Sequence, residues 1–420
     1  MSKFARLVNK TARRAGYVLA FAVAAAAAWA LYVDVTGIPK YEVNDIPVMN
    51  VEVTPARVER GKKFATMLCA ECHLDPATKR LSGKYMGDGL KRFGTVFSKN
   101  ITKDPEHGIG KWTDGELAYF LRTGLRKDGS YSPPWMPKMP HLSDEDLASI
   151  IAFMRSDDPL VAPSDKPSRE SDLTFFSKAL AHTVIKPFPY PKEPKVAPPT
   201  TDRVAYGKYL VYALDCYACH SSDPVKIDFL NPDHSPGYME GGNVDKDADG
   251  EDIRTANLTP DDETGIGKWS EADFIRAVKK GFRPDGRVLH SPMSPRVELT
   301  DEEAGSIYLY LRTLKPVHHP ISRPTVSPPN GSAGEKLYVT YGCVGCHGKD
   351  GKGKGNADLT VANEKYPNDA DLRDWIDNAP SKKPGTHMPA WKGIIKEEDY
   401  DPLMAYVRTL SKADGRSASK

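Results

Sequence analysis

Three copies of the pentapeptide Cys-x-x-Cys-His occur in this chain, and together they use every cysteine that it has. The copies are Cys69 to His73, Cys216 to His220 and Cys343 to His347. Because all 6 cysteines are consumed in this way, the sequence disfavours a disulfide framework or a zinc site built from cysteine. Each copy offers two thiols one helical turn apart, followed at once by an imidazole.

This spacing is typical of covalent haem attachment, because two thiols bind the porphyrin as thioethers and the adjacent imidazole binds the iron. The predicted attachment residues are Cys69, Cys72, Cys216, Cys219, Cys343 and Cys346. The predicted proximal ligands are His73, His220 and His347. We therefore expect three covalently bound haem c groups.

A chain of 420 residues is long enough for several domains, and three motif copies favour three of them. We place the haem domains at residues 50–158, 203–315 and 331–412. The segments between them, 159–202 and 316–330, contain many prolines and are predicted to be extended linkers. A formal net charge of +2 gives no indication of nucleic acid binding.

Residues 1–35 have a different character from the rest of the chain. Five basic residues precede an uncharged, alanine-rich run from Ala15 to Val33. Nineteen helical residues rise about 28 Å, which is close to the hydrocarbon thickness of a bilayer. This predicts a single transmembrane helix in the cell inner membrane, with a cytoplasmic amino terminus and periplasmic haem domains. The alternative is a cleaved signal peptide with a site at Ala28-Trp29-Ala30, although the apolar run exceeds the usual length for one.

The first two motif regions are internal copies of each other. Asn100-Ile101-Thr102 and Gly108 to Trp112 recur as Asn257-Leu258-Thr259 and Gly265 to Trp269, at a constant offset of 157 residues. Iron in a c-type haem commonly takes methionine opposite histidine. The offset carries Met136 onto Met293, whereas it carries Met139 onto Arg296. We therefore predict Met136 and Met293 as axial ligands, with Met139 as the competitor in the first copy.

The third copy is shorter, and Met388 is its predicted axial ligand. The proline that follows braces a loop able to present the thioether. His387 is the alternative ligand, and bis-histidine ligation would give a lower potential. In the second copy His290 lies three residues before Met293 and is an alternative for that iron.

The patterns predict an all-α fold with almost no sheet. Gly61, Gly207 and Gly334 open apolar helices that end at the motifs, and small residues there allow a second helix to cross closely. Capping boxes at Ser143 and Thr300 predict that second helix in the first two copies, and the helix after Pro402 provides it in the third. Further capped helices are expected to begin at Thr113 and Ser270 and to end near Gly124 and Gly281.

Taken together, these residues resemble the class I cytochrome c fold over residues 50–412. The carboxy-terminal helices end in similar patterns at Phe153 to Ser156, Leu309 to Arg312 and Ala405 to Arg408. Three such domains in one exported chain resemble the cytochrome subunits of membrane-bound periplasmic dehydrogenases. The resemblance implies redox protein partners, namely a membrane-bound dehydrogenase or oxidase complex. The anchor departs from that family because it stands at the amino end here.

The expected function is electron relay in the periplasm, with no catalysis by the chain itself. Two alternatives stay open: a peroxidase-like haem enzyme with one open iron site, and a haem-based sensor. The acidic insertion from Asp245 to Gly250 begins like a calcium loop, but its twelfth position is Ala256 instead of glutamate. A solvated acidic turn is the preferred interpretation of that insertion.

Overall fold

A computed structural model describes residues 3–87, 92–132, 135–246, 251–285, 287–289, 292–322, 331–353, 357–383, 386 and 388–411. Helices dominate these residues. In chain order they are α1 (Lys3–Thr36), α2 (Pro55–Leu68), α3 (Ala70–His73), α4 (Asp114–Thr123), α5 (Asp144–Arg155), α6 (Phe175–Thr183), α7 (Arg203–Ala213), α8 (Cys216–His220), α9 (Glu271–Lys280), α10 (Asp301–Arg312), α11 (Ala333–Thr340), α12 (Val344–His347), α13 (Ala362–Lys365), α14 (Asp369–Lys382) and α15 (Tyr400–Leu410).

The described strands form two small antiparallel sheets, in line with the expectation of almost no sheet. One pairs β1 (Gly94–Thr95) with β2 (Asp172–Leu173). The other pairs β3 (Val244–Lys246) with β4 (Asp252–Arg254) and flanks the acidic insertion. Residues 247–250 of that insertion lie outside the described residues.

The chain divides into two compact units. The first contains Met1–Val51, Ser82–Pro140 and Pro163–Lys192, and the second contains Glu52–Leu81, His141–Ala162 and Glu193–Lys420. The first unit therefore holds α1, α4, α6, β1 and β2. Its apolar cluster is centred on Tyr119, Leu125 and Tyr131. Residues 159–202 carry β2 and α6, so this segment is not extended along its whole length as expected.

Helix α1 contains one candidate membrane span, Arg13–Thr36, with a mean hydropathy of 2.0. Its length and composition allow it to cross a bilayer. Only 6% of the 18-residue stretch that has this hydropathy is buried inside the protein. A cleaved signal sequence passes the same test, so the helix by itself does not separate the two interpretations.

In the second unit the helices that end at the haem motifs are crossed closely at their glycines, as predicted. A Cβ added to Gly61 of α2 would lie 1.8 Å from the carbonyl oxygen of Ser149 in α5. At Gly207 of α7 the corresponding distance to the Ser306 carbonyl of α10 is 1.9 Å. At Gly334 of α11 the Pro402 carbonyl of α15 would lie at 2.0 Å. One helix crossing is therefore built three times.

The predicted helix caps are present with one exception. Thr113, Ser270 and Thr300 form complete capping boxes, and Gly124 and Gly281 end their helices at φ values of +81° and +82°. At Ser143 only half of the predicted box forms: the Ser143 hydroxyl accepts from the Asp146 N–H. The Asp146 carboxylate does not return to the cap, because it is buried and bound to other side chains.

Candidate haem-binding sites

Helix α2 positions the first motif. Thr54 caps the helix by accepting from the Arg57 N–H at 3.3 Å, and Pro55 occupies the first turn, where its missing N–H costs nothing. After Leu68 the backbone N–H of His73 donates to the Cys69 carbonyl at 2.9 Å. The pentapeptide thus closes one helical turn, which brings its two cysteines onto one side of that turn.

The second and third motifs repeat this construction. Helix α7 begins at the Asp202 cap and precedes α8, which starts at Cys216. Helix α11 begins at the Ser332 cap, and the N–H of His347 in α12 donates to the Cys343 carbonyl at 2.9 Å. In each copy a capped helix therefore runs into a motif held in helical backbone.

Backbone carbonyls orient the predicted proximal histidines His220 and His347. Nδ1 of His220 lies 2.9 Å from the Ala256 carbonyl oxygen, and Nδ1 of His347 hydrogen-bonds to the Ala357 carbonyl oxygen. Since a carbonyl only accepts, Nδ1 carries the proton and Nε2 is left able to bind iron. Burial lowers the pKa of His347, which favours the neutral form that binds iron. His73 is buried, with 6% of its surface exposed.

Burial also determines the state of the cysteine sulfurs. It raises the pKa of Cys69, Cys216 and Cys343 to about 12. The reactive thiolate is therefore strongly disfavoured at these positions. A thioether has no charge, so the same burial carries no penalty once the sulfur is bonded to a porphyrin.

The two predicted methionine loops have matching backbone contacts. The N–H of Met139 donates to the Leu121 carbonyl at 2.7 Å, and the N–H of Arg296 donates to the Val278 carbonyl at 2.7 Å. The two donors are 157 residues apart, and so are the two acceptors, which is the offset of the sequence repeat. Met139 and Arg296 are thus equivalent positions, and so are the preceding residues Met136 and Met293, which are both partly buried.

Sequence reasoning missed a residue that holds the first methionine loop. Arg122 of α4 is almost wholly buried, with 1% of its surface exposed. Its Nη1 donates to the carbonyls of Met139 and Pro140, each at 3.1 Å. The sequence pattern of α4 gives no sign of this role, because the two carbonyls belong to a segment beyond the end of the helix.

The repeated Asn-x-Thr segment ties two parts of the chain together by hydrogen bonds, a role that the sequence pattern did not indicate. Oδ1 of Asn257 accepts from the N–H and hydroxyl of Thr259, and its Nδ2 donates to the Val317 carbonyl at 2.8 Å. Asn100 accepts from Thr102 in the same way, and its Nδ2 donates to the carbonyls of residues 164 and 166 at 2.9 Å. Each asparagine thus fastens the segment that follows a carboxy-terminal helix.

The third methionine loop packs in an apolar cluster. Met388 is partly buried against a core that includes Trp391, Leu403 and Met404. The alternative ligands His387 and His290 lie outside the described residues.

These residues fit covalently bound haem. Each motif offers two cysteines on one helical turn, and the imidazoles of His220 and His347 have Nδ1 engaged, which leaves Nε2 able to bind iron. His73 is buried in the same turn as its cysteines.

Comparison with known proteins agrees with this chemistry. The cytochrome c family matches residues 58–157 and 331–411, which contain the first and third motifs. The chain is 30% identical over 324 residues to the cytochrome c subunit of the quinone alcohol dehydrogenase of Komagataeibacter europaeus. That alignment covers 71% of this chain and 66% of the relative.

Two further relatives belong to other dehydrogenases. The fructose dehydrogenase cytochrome subunit of Gluconobacter japonicus is 29% identical, covering 72% of this chain and 67% of the relative. The gluconate 2-dehydrogenase cytochrome c subunit of Pantoea cypripedii is 26% identical, covering 71% of each.

The motifs, the helix crossings and the family match together define a c-type cytochrome that binds haem c covalently. The chain belongs to the cytochrome c family, and its relatives are the electron-transfer subunits of dehydrogenases, distinct from the catalytic subunits.

Proposed function

We propose that this chain is a membrane-anchored triheme cytochrome c that relays electrons in the periplasm. Its donor is a dehydrogenase or a quinol-oxidising complex, and its acceptor is an oxidase or another respiratory complex. Its relatives include the cytochrome subunits of alcohol, fructose and gluconate dehydrogenases, which supports a dehydrogenase partner. Haem held by the three motifs would supply the redox chemistry.

The observation that carries the proposal is the threefold repetition of one arrangement. A capped helix ends at each motif, and a second helix crosses it at a glycine. The second motif lies outside the segments matched to the family, yet its helices cross in the same way as those of the first. We therefore assign three haems to three domains, at residues 50–158, 203–315 and 331–412.

We assign two axial ligands to each iron. The pairs are His73 with Met136, His220 with Met293, and His347 with Met388. An iron held by an imidazole and a thioether would have a raised potential and no position open to a substrate, which suits electron transfer. The histidine carbonyl contacts fix the ring tautomers, and Arg122 fixes the loop that follows Met136.

The contacts within the second unit support a relay with the second haem in the middle. Lys63 of α2 pairs with Glu303 of α10, which joins the helix before the first motif to the second domain. On the other side Phe282 meets Trp391 edge-on, with ring centroids 5.0 Å apart. Val288 lies against Gly342, the residue before Cys343. The second domain therefore contacts the elements of both other motifs.

The proposed location follows from α1. Basic residues precede the candidate span, so the amino terminus is assigned to the cytoplasm and the haem domains to the periplasm. Retention of α1 as an anchor in the inner membrane is part of the proposal. Alkaline extraction of membranes tests it, because a cleaved chain would leave the membrane fraction.

Haem stoichiometry tests the count. Acid-acetone extraction of denatured protein should leave three haems per polypeptide, and fewer than three would contradict the triheme assignment.

Single methionine variants test the ligands and separate the relay from its alternatives. Met136→Ala, Met293→Ala and Met388→Ala should each remove a share of the sulfur-to-iron absorption band. Met139→Leu is the matched control and should leave the band unchanged. A high-spin signal in the untreated protein would favour a peroxidase-like enzyme or a sensor, since either needs an open iron site.

A further inference from the structure

Helix α6 lies alongside the last two turns of α1 and runs parallel to them. Near its start the Phe175 ring meets the Trp29 ring edge-on, with centroids 6.2 Å apart. Near its end His182 Nε2 lies 2.9 Å from the Gly37 carbonyl oxygen. Between these contacts Lys178 Nζ binds an Asp34 carboxylate oxygen at 2.7 Å. Later residues of α6 thus meet later residues of α1. Because α1 leaves the membrane at its carboxy-terminal end, the start of α6 is the part of that helix closest to the membrane interior.

The depth of this contact follows from helix geometry. Counted from Ala15, about 20 residues at about 1.5 Å each cross roughly 30 Å of hydrocarbon, which ends near Asp34. Trp29 precedes Asp34 by five residues and therefore lies about 7 Å inside that boundary. Phe175 touches Trp29, so the start of α6 lies at the depth of the periplasmic interface of the inner membrane.

The side chains at that depth are those that a membrane interface favours. Phe175 and Phe176 are exposed by 42% and 45%, and Trp29 by 43%. The Arg92 guanidinium lies 5.6 Å from the centre of the Phe176 ring. Aromatic rings and arginine are the side chains that accumulate where acyl chains meet headgroups. The charges of Lys178 and Asp34 offset each other within their ion pair.

We propose that α6 is an interfacial helix whose residues Phe175 and Phe176 enter the outer leaflet beside Trp29. The proposal rests on the proposed anchoring by α1. The partner is a lipid surface, because the exposed rings are continuous with the surface of a helix that itself lies in lipid. The segment that appeared to be a linker would then be a second membrane contact of the chain.

A depth measurement with nitroxide labels tests this proposal. The full-length, haem-loaded protein is reconstituted in phosphatidylcholine and phosphatidylglycerol vesicles with its haems reduced. A genetically encoded nitroxide amino acid replaces Phe176, Phe21 or Val225, one at a time, since the cysteines carry haem. Phe21 reports the middle of α1, and Val225, exposed by 83%, reports water. The measured quantity is collision with oxygen relative to collision with a water-soluble nickel chelate.

We expect the labels at 21 and 176 to favour oxygen, with a ratio at 176 at least about fivefold above that at 225. If 21 favours oxygen while 176 matches 225, α1 spans the membrane and the interfacial helix is refuted. If 176 is shielded from both probes, protein covers the rings and the lipid proposal is refuted. If 21 itself matches 225, the anchoring has failed, and the inference fails with it.

Discussion

Lys63 on α2 forms an ion pair with Glu303 on α10, although the two residues are 240 positions apart. The same surface contains a reciprocal contact, in which the Tyr209 hydroxyl of α7 donates to Asp146 of α5. Lys63 and Tyr209 occupy corresponding positions two residues after the crossing glycines, and Asp146 and Glu303 correspond through the repeat offset. The two repeats therefore meet through a quasi-twofold interface, as the subunits of a symmetric dimer do.

This interface yields a stability prediction. The side chains of Lys63 and Glu303 are exposed by only 18% and 8%, so Lys63→Met leaves a carboxylate without its buried cation. We expect a loss of about 2 kcal/mol in the free energy of unfolding, reduced from the fully buried case. Lys62→Met is the matched control, because the Lys62 side chain is 49% exposed where it pairs with Asp158, and its removal should cost less than about 1 kcal/mol.

Chemical denaturation followed by haem absorbance measures both variants. The Glu303→Gln variant keeps the Thr300 capping bond. In this variant Lys63→Met should lower the unfolding free energy by less than it does in the parent protein. Equal losses for Lys62→Met and Lys63→Met would contradict the buried interface.

The close approach of the helices predicts that the glycines at the helix crossings tolerate no side chain. Gly61→Ala or Gly207→Ala would press a methyl group into a backbone carbonyl, at 1.8 Å and 1.9 Å respectively. A backbone atom cannot rotate away, so the helices must separate at a cost of about 3 kcal/mol or more. Thermal unfolding of the haem-loaded protein measures this cost. Glu59→Ala, at an exposed position of α2, should leave the unfolding midpoint almost unchanged.

The hydrogen bonds of the Asn-x-Thr segment predict a loss of stability in Asn257→Asp that depends on pH. In Asn257→Asp a carboxylate oxygen would face the Val317 carbonyl, where the amide now donates at 2.8 Å. The lost hydrogen bond and the repulsion should cost about 2 kcal/mol at pH 7. Protonation of the new carboxyl restores a donor, so the difference from the parent protein should shrink near pH 4. A defect that is constant with pH would mean that the amide donor is unimportant.

Asp215 predicts a gain of stability on neutralisation. Burial raises the pKa of this carboxyl to about 6, while the hydroxyl of Tyr217 opposes the shift. Between pH 4 and pH 6 the folded state binds the proton more tightly, so its contribution to stability falls as pH rises through that window. Asp215→Asn removes the buried charge and keeps a residue suited to the positive φ of 60°.

At pH 8 the Asp215→Asn variant should exceed the parent protein by about 2 kcal/mol in unfolding free energy, whereas at pH 4 the two should agree. Urea titrations at the two pH values measure this. A gain of equal size at both would show that the charge of Asp215 is not its cause.

Local chemistry explains why the helical elements were predictable. Caps at Thr113 and Ser270, the ends at Gly124 and Gly281, and the helical turn of each motif depend on residues within four positions of one another. The crossing glycines were predictable as well, since a small residue on an apolar helix face marks a close approach. The half-formed box at Ser143 departs from its pattern because Arg60 and Tyr209 bind the Asp146 carboxylate instead.

The sequence by itself determined that the chain binds haem c covalently and that helices deliver each motif, and it predicts the attachment sites, because these features are encoded in short spacings. Tertiary structure alone decided which distant side chains meet. The pairing of Lys63 with Glu303, the carbonyl contacts of Arg122 and the position of α6 against α1 all join segments that are remote along the chain. Such contacts depend on how whole helices pack, and a local pattern contains no information about a partner brought in from another helix.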